Sequence, residues 1–468
     1  MANSAATSDG FLERQFALSE RNTTVRTEVI AGLTTFMTMA YILFVNPQIL
    51  SGGNGELFGP LLTVTALVAG VMTIAMGAFA NYPFAIASGL GLNAVVAFQL
   101  VGAEGLSLPE AMGVVVAEGI VITILVLTGF REAVLNAIPL ELKKAIGAGI
   151  GLFITIIGFA NSGLVVTGPG AGGPVLVRGN VGSATIAIFV IGLLFTAYLL
   201  TRRVHGALLF GIVGTTLLAI LVNALNGGGL WEHIGPGVAK FPADVFAAPD
   251  FSLVGDFSFG FLAKMGILSA LLAVFTLMLA DFFDTMGTAI ALGHEGGFLD
   301  DRQRLPRMNR VLLVDSAAAV VGGAASASSA TTYIESASGI EAGGRTGLTS
   351  IVTGVLFLLA LFLSPIAGII PPEATAPALV LVGFLMMSVV RDLAWNDYAV
   401  AIPAFLTMVV MPFTFSITDG IGAGFISYTV IQLLLGRIRD VHWMMILSSV
   451  AFLVYFAIDP IRRLMLGA

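Results

Sequence analysis

Apolar runs of about 20 residues, the length needed to cross the hydrocarbon core of a bilayer, recur along the whole chain. With their polar breaks they predict fourteen segments, near 28–50, 61–80, 84–101, 110–129, 139–163, 182–201, 206–226, 262–292, 309–325, 330–342, 346–369, 371–390, 398–415 and 418–436. Two segments are poor spans. Tyr82–Phe98 (YPFAIASGLGLNAVVAF) and Ser326–Gly344 (SASSATTYIESASGIEAGG) hold too few bulky apolar side chains for a helix in lipid. They occupy matching places in a weak internal repeat, in which IPLELKKAIGAGIGLF from Ile138 echoes IPPEATAPALVLVGFL from Ile370. Seven segments is an odd number, so two fused halves insert with opposite topology. Paired broken segments at corresponding positions point to the binding site of a transporter. Irregular backbone is tolerated at membrane depth only where protein or a cavity satisfies it. Half-helix N-termini there aim backbone N–H groups at a ligand.

Composition fixes the class. Of the residues 57% are hydrophobic and 10% charged, against about 25% charged in a soluble domain, and the mean hydropathy is +0.98. The basic residues fall into a pattern. Arg14, Arg21 and Arg26 precede the first segment, and Arg131, Lys143 and Lys144 surround the fourth and fifth. Arg202 and Arg203 follow the sixth, Arg302, Arg304, Arg307 and Arg310 the eighth, and Arg437 and Arg439 the fourteenth. All lie on one side of a cell (inner) membrane if the N-terminus is cytoplasmic. Trp231, Trp395 and Trp443 sit at segment edges, as an interfacial belt requires. The polar N-terminus does not read as a cleavable signal peptide, so the first segment is expected to direct insertion. Residues 441–460 read as one more span, an interfacial helix, or a replacement for one of the two short segments before them, with Arg462 and Arg463 beyond. The chain has no cysteine, which excludes disulfides and thiolate metal sites.

The candidate chemistry is acidic. Asp284 lies inside LLAVFTLMLADFFDTMGTAIALG, and Glu335 follows the run GGAASASSATTY. A carboxylate at mid-bilayer costs about 2.5–3.5 kcal/mol even on the lenient insertion scale, so such residues face a cavity or a partner and mark a path. Asp281 shares a helix face with Asp284, and Thr285 and Thr288 extend the patch. Thr332 and Tyr333 adjoin Glu335, and Asn93 in GLGLNA is the matching polar group of the first half. Glu118 and Asp315, acids within apolar segments, are secondary candidates expected to brace helices or relay protons. His205, His233, His294 and His442 lie near segment ends without metal-ligand spacing. A Walker-type loop is absent, and GLGLNA lacks the third glycine of a dinucleotide fingerprint. GPGAGGP (Gly168–Pro174) reads as a loop, and no nucleophile set suggests catalysis. The basic clusters are short and scattered, without support for nucleic-acid binding. The expectation is a transporter without cofactor, not an enzyme.

Four stretches carry a family resemblance: AGLTTFMTMAYILFVNPQIL (Ala31–Leu50), ASGLGLNA (Ala87–Ala94), ADFFDTMGT (Ala280–Thr288) and SSATTYIESASGIEAGGRTGLTS (Ser328–Ser350). The chain resembles the nucleobase:cation symporter-2 (nucleobase–ascorbate) superfamily, and most closely its azaguanine-type purine permease branch. The resemblance implies an all-α polytopic membrane protein of 14 spans in two inverted seven-segment repeats, with short strands in broken segments 3 and 10. It implies a core domain (14–130 and 251–369) holding the substrate and a gate domain (131–250 and 370–468) moving against it. Relatives of this kind often dimerise through the gate domain, so a homodimer in membrane lipid is expected. The superfamily places an acid and then a glycine three residues on in its eighth span, which Asp284 and Gly287 fit. Thr288 stands where relatives carry His or Asp, Glu335 matches the tenth-span acid with Tyr333 its neighbour, and Asn93 matches the polar position of the purine branch.

The expected substrate is a purine nucleobase, and the expected partner ion a proton. Ionised Asp284 and Glu335 accept hydrogen bonds from ring N–H groups, charge-assisted bonds about twice as strong as neutral ones. Phe283 or Tyr333 stacks on the base, and Asp284 or Glu335 takes up and releases the proton. A uracil or xanthine carrier and an anion transporter of related fold remain as alternatives, and two acids in the site argue against an anionic substrate.

Overall fold

A computed structural model describes residues 10–128, 137–168, 176–232, 234, 237–242, 244–300 and 304–466. Arg131, His233, Arg302 and residues 169–174 lie outside the described residues, as do the side chains of Arg462 and Arg463.

The first segment is broken into α1 (Val25–Met39) and α2 (Ile42–Leu50). Thr24 caps α1 by accepting from the backbone N–H of Thr27 at 3.2 Å. Next comes α3 (Gly55–Ala80). It starts earlier than the apolar run from 61 suggests, because Asn54 caps it at the N–H of Glu56 (3.0 Å) ahead of Pro60. The third segment is the short strand β1 (Ile86–Ser88), then α4 (Leu90–Ala94), which continues as a π-helical stretch over Val95–Ala103. Four helices complete the first half: α5 (Leu108–Thr128), α6 (Leu140–Asn161), α7 (Ala184–Thr201) and α8 (Ala207–Leu225). Between α6 and α7 the chain forms an unforeseen hairpin, β2 (Val165–Thr167) with β3 (Leu176–Arg178).

The second half repeats this order. Helix α9 (Ile267–Glu295) begins after Gly266, whose φ of +79° turns the chain, rather than at 262. There follow α10 (Met308–Ala324), β4 (Ala330–Thr332), α11 (Ser336–Glu341) and α12 (Gly347–Ala360). The chain ends with α13 (Pro372–Met387), α14 (Tyr398–Thr414), α15 (Ile417–Leu434) and α16 (Trp443–Leu466). Helix α16 packs on α15 and α9, so the tail displaces neither of the short segments before it.

Among the described residues nine helices are long and apolar enough to cross a membrane, and Leu90–Ala103, Gly347–Ala360, Tyr398–Thr414 and Trp443–Ala457 are shorter apolar helices. The order of elements fits two runs of seven segments. The pairings fit them too: α3 packs on α12 as α10 packs on α5, α7 on α8 as α14 on α15, and α7 on α13 as α14 on α6. Each pairing returns when every segment is replaced by its counterpart in the other half. Small residues let helices meet at backbone distance, as in membranes generally: a Cβ on Gly77 of α3 would strike the carbonyl of Gly347 in α12. Leu194, Leu225 and Leu434 stay exposed on the outside, which is the surface lipid covers.

The two halves are sewn together by backbone. β1 and β4 pair antiparallel with Ile86 opposite Thr332, Ala87 opposite Thr331 and Ser88 opposite Ala330. The ladder runs on at both ends, through Gly89 N–H to Ser329 O and Tyr333 N–H to Ala85 O, each 2.9 Å. Every residue of both strands is buried. Small side chains serve here because helices press on the strands from both sides.

Candidate substrate site

Both strands end at one hollow of about 80 Å³. The chain leaves β1 through Gly89, Leu90 and Gly91 into α4, and leaves β4 through Thr332, Tyr333, Ile334 and Glu335 into α11; all of these line the hollow. So do Asp284 and Thr288 of α9, Tyr41 at the break in the first segment, and Val382 and Met386 of α13. First-turn amides of a helix have no intrahelical acceptor, so the start of α4 brings backbone donors beside the acids. Larger hollows exist, one of about 630 Å³ along Gln48–Gly59 and Ser364–Pro372 and one of about 450 Å³ lined by Arg21, Arg307 and Arg345. Neither contains Asp284 or Glu335, and the smaller cavity is the chemically equipped one.

The side chains of the hollow are held from behind. Tyr41 donates its phenol proton to Oε1 of Glu335 at 2.6 Å. Tyr333 donates to the carbonyl of Ser88 at 2.5 Å, locking its ring across the strand pair. Asp315 of α10 lies behind the strand: its Oδ1 accepts from the N–H and hydroxyl of Thr332, both 2.8 Å, and its Oδ2 from the hydroxyl of Thr285 at 2.6 Å. It therefore clamps β4 to α9. The carboxylate of Asp284 itself is exposed to the hollow, whereas Glu335 is half-buried.

The structure brings together Asp284, Thr288, Thr332, Tyr333 and Glu335. Other expected residues sit elsewhere. Phe283 does not line the hollow: it contacts Phe282 at 5.9 Å between ring centroids, and Nζ of Lys143 lies 5.7 Å over its ring. Each residue on a helix turns by about 100°, so the neighbour of Asp284 faces another way. Asn93 is fully buried one turn into α4, and neither amide atom is hydrogen-bonded among the described residues. Asp281 and Glu118 are fully buried away from the hollow. Sequence reasoning missed Tyr41, Gly91, Val382 and Met386. Tyr41 had one signal, a hydroxyl-bearing ring within the matched stretch Ala31–Leu50.

The polytopic helical fold around an acidic hollow between two broken segments is that of a membrane permease, and the family and relatives it matches are transporters and not enzymes. Residues 26–422 match the sequence model of the Permease family, Xan_ur_permease. The adenine permease AdeP of Escherichia coli is 41% identical over 445 residues, covering 95% of this chain and 96% of that protein. The guanine/hypoxanthine permease PbuG of Bacillus subtilis is 39% identical, covering 94% and 98%. Among solved structures, the transmembrane domain of the cyanobacterial bicarbonate transporter BicA shares the fold with a TM-score of 0.57 at 15% identity, covering 85% of this chain and 97% of that one. SLC26A9 does so with a TM-score of 0.61 at 11% identity, covering 91% and 67%. The chain belongs to the nucleobase:cation symporter-2 family.

Proposed function

We propose that this protein imports purine nucleobases (adenine, guanine or hypoxanthine) across the cell inner membrane by proton symport. One observation carries the reading: Asp284 and Glu335, far apart in sequence, line the same hollow beside the first turn of α4. A purine offers ring N–H donors on one edge and acceptor nitrogens or a carbonyl on the other. The two carboxylates take the donors, and the amides of α4 face the acceptors. Tyr333 presents its ring, and Thr288 and Thr332 add hydroxyls. The relatives named as adenine and guanine/hypoxanthine permeases support the same substrate class.

Alternating access follows from how the hollow is walled. Val382 and Met386 come from α13, which packs on α6 and α7, while the remaining lining comes from segments 1, 3, 8 and 10. The site thus lies against a seam between a core (14–130 and 251–369) and a gate (131–250 and 370–468). An elevator-like slide of the core along α13 exposes it to each side in turn. The N-terminus is cytoplasmic, which collects the arginine and lysine clusters on the inner face.

The test is uptake of labelled adenine, guanine and hypoxanthine into liposomes holding the purified protein under an inward proton gradient. Saturable accumulation that a protonophore abolishes is expected. A panel of unlabelled bases decides the class, and competition by uracil or xanthine with none by the three purines overturns the reading.

A further inference from the structure

Two buried acids are left unused by the substrate reading. Glu118 lies midway along α5, and Asp281 lies one turn before Asp284 on α9; both are fully buried, and neither lines the hollow. Their carboxyl groups meet within hydrogen-bonding reach. Ser329 presents its hydroxyl to Oε2 of Glu118 and to Oδ2 of Asp281, each at 3.3 Å. A serine hydroxyl carries one hydrogen, so it serves one carboxyl at a time. Oε1 of Glu118 and Oδ1 of Asp281 meet no donor among the described residues.

Other buried acids of this protein are treated differently. Glu28 accepts five bonds, from the N–H groups of Arg345, Thr346 and Thr349 and the hydroxyls of Thr346 and Thr349. Asp315 accepts from the N–H and hydroxyl of Thr332 and from the hydroxyl of Thr285. At these two carboxyls the fold supplies a donor to both oxygens. Glu118 and Asp281 have one serine hydroxyl to share among the described residues, and the acids face each other.

Among the described residues the surroundings supply no countercharge. The charged groups whose fields reach the pair are Asp315 on α10 and Asp284 on α9, both acidic. On the elements packed against α5 and α9, Lys264 pairs with Glu110 (3.1 Å) and Lys144 with Glu141 (3.3 Å). Lys143 lies over Phe283, and Arg310 donates to the carbonyl of Phe79 at 3.4 Å. The acids of the remaining neighbours, Glu335 just before α11, Glu341 on α11 and Asp419 on α15, add no positive charge. Two ionised carboxylates cannot stay in contact under these conditions, and among the described residues no group of three or more metal-ligating side chains gathers here.

We infer that Glu118 and Asp281 share one proton, and that this pair, not the acids of the hollow, carries the proton that moves with the substrate. The inference rests on the proposed purine–proton symport and relocates its coupling site. The mechanical link is short. Asp281 and Asp284 stand one turn apart on α9, and Ser329 directly precedes β4, which leads to Tyr333 and Glu335. A base gripped by Asp284 and Glu335 therefore holds still the two elements that place Asp281 and Ser329 against Glu118. When the base leaves, the two elements are free to separate, the pair parts, and the proton goes to water.

The experiment compares two assays in proteoliposomes. Base-for-base exchange needs no net proton movement, whereas accumulation under a pH gradient does. One pH unit drives about tenfold accumulation in a one-proton symport. In Glu118→Gln the amide supplies the missing donor to Asp281 and removes the need for a proton. Exchange at the wild-type rate is expected, with the tenfold accumulation lost. Accumulation by Glu118→Gln equal to wild type overturns the inference, as does wild-type accumulation that follows a sodium gradient and ignores pH. Infrared spectroscopy reads the pair directly, without transport. A protonated-carboxyl band at neutral pH is expected in the wild type and is expected to vanish in both Glu118→Gln and Asp281→Asn. A wild type with no such band overturns the inference even if both variants fail to fold. If the wild type neither exchanges nor accumulates purines, the purine reading fails, and the infrared result still decides the shared proton.

Discussion

The phenol of Tyr41 donates a 2.6 Å hydrogen bond to Oε1 of Glu335. It ties the break in the first segment to the acid of the tenth, so one carboxylate oxygen is held from behind while the rest of the group faces the hollow. Removing the hydroxyl in Tyr41→Phe leaves the ring in place and frees Glu335 to turn. A hydrogen bond to a charged group contributes about 1.5–3 kcal/mol. The KM for uptake is therefore expected to rise about tenfold or more with little change in melting temperature, as measured by initial-rate uptake and thermal unfolding in detergent.

Asp284→Asn and Glu335→Gln each replace an acceptor-only group with one that also donates. Each variant presents an amide N–H where the substrate's own N–H must bond. Uptake is expected to fall by about 100-fold or more, the equivalent of about 3 kcal/mol, while membrane insertion and melting stay near wild type. Wild-type rates in both variants would remove these residues from the site.

Asp315 acts on the site without touching the hollow. Asp315→Asn keeps one acceptor and turns an amide donor toward the donors at Thr332 and Thr285, at a cost of about 1–3 kcal/mol for the group left unpaired. Both a lower melting temperature and a raised KM are expected, because β4 and α9 lose their common clamp. Selectivity among bases is expected to hold, and a competition panel on the variant checks it.

Much of this was legible in the sequence, for identifiable reasons. Asp284 and Glu335 stood out because lipid makes any charge in an apolar run conspicuous. The strands at Ile86–Ser88 and Ala330–Thr332 fell where the broken segments placed them, because small and hydroxyl-bearing residues cannot build a lipid-facing helix. What was hidden needed three dimensions. Phe283 adjoins Asp284 in sequence yet packs under Lys143, since a helix turns neighbours apart. The meeting of Glu118 with Asp281 depends on α5 packing beside α9, which no local pattern records. Glu28 drew no attention because it follows Arg26 at the polar edge of the first segment, where an acid is unremarkable.

Glu28 offers a test of stability separate from transport. It is fully buried and caps the start of α12 from the start of α1. Glu28→Ala strands five donors, and each one left unpaired costs about 1–3 kcal/mol. A steep fall in melting temperature and in yield of folded protein is expected, with an unchanged KM in whatever protein survives. A raised KM at wild-type stability would instead place Glu28 in the transport path.

Helix contact gives a further handle. Gly77 and Gly347 meet backbone to backbone where α3 crosses α12. Gly347→Leu has to push the helices apart, and overpacking of this kind costs about 1–3 kcal/mol. A lower melting temperature is expected, which thermal unfolding of the variant checks.

The strand ladder also constrains how the protein is made. β1, at residues 86–88, leaves the ribosome long before β4, at residues 330–332, its only ladder partner among the described residues. Until then the nascent chain keeps an open peptide edge at a depth where water is scarce and unpaired amides are costly. A gene cut between the halves would therefore yield an early product that waits unfinished for its mate, and the two pieces should assemble only when synthesised together.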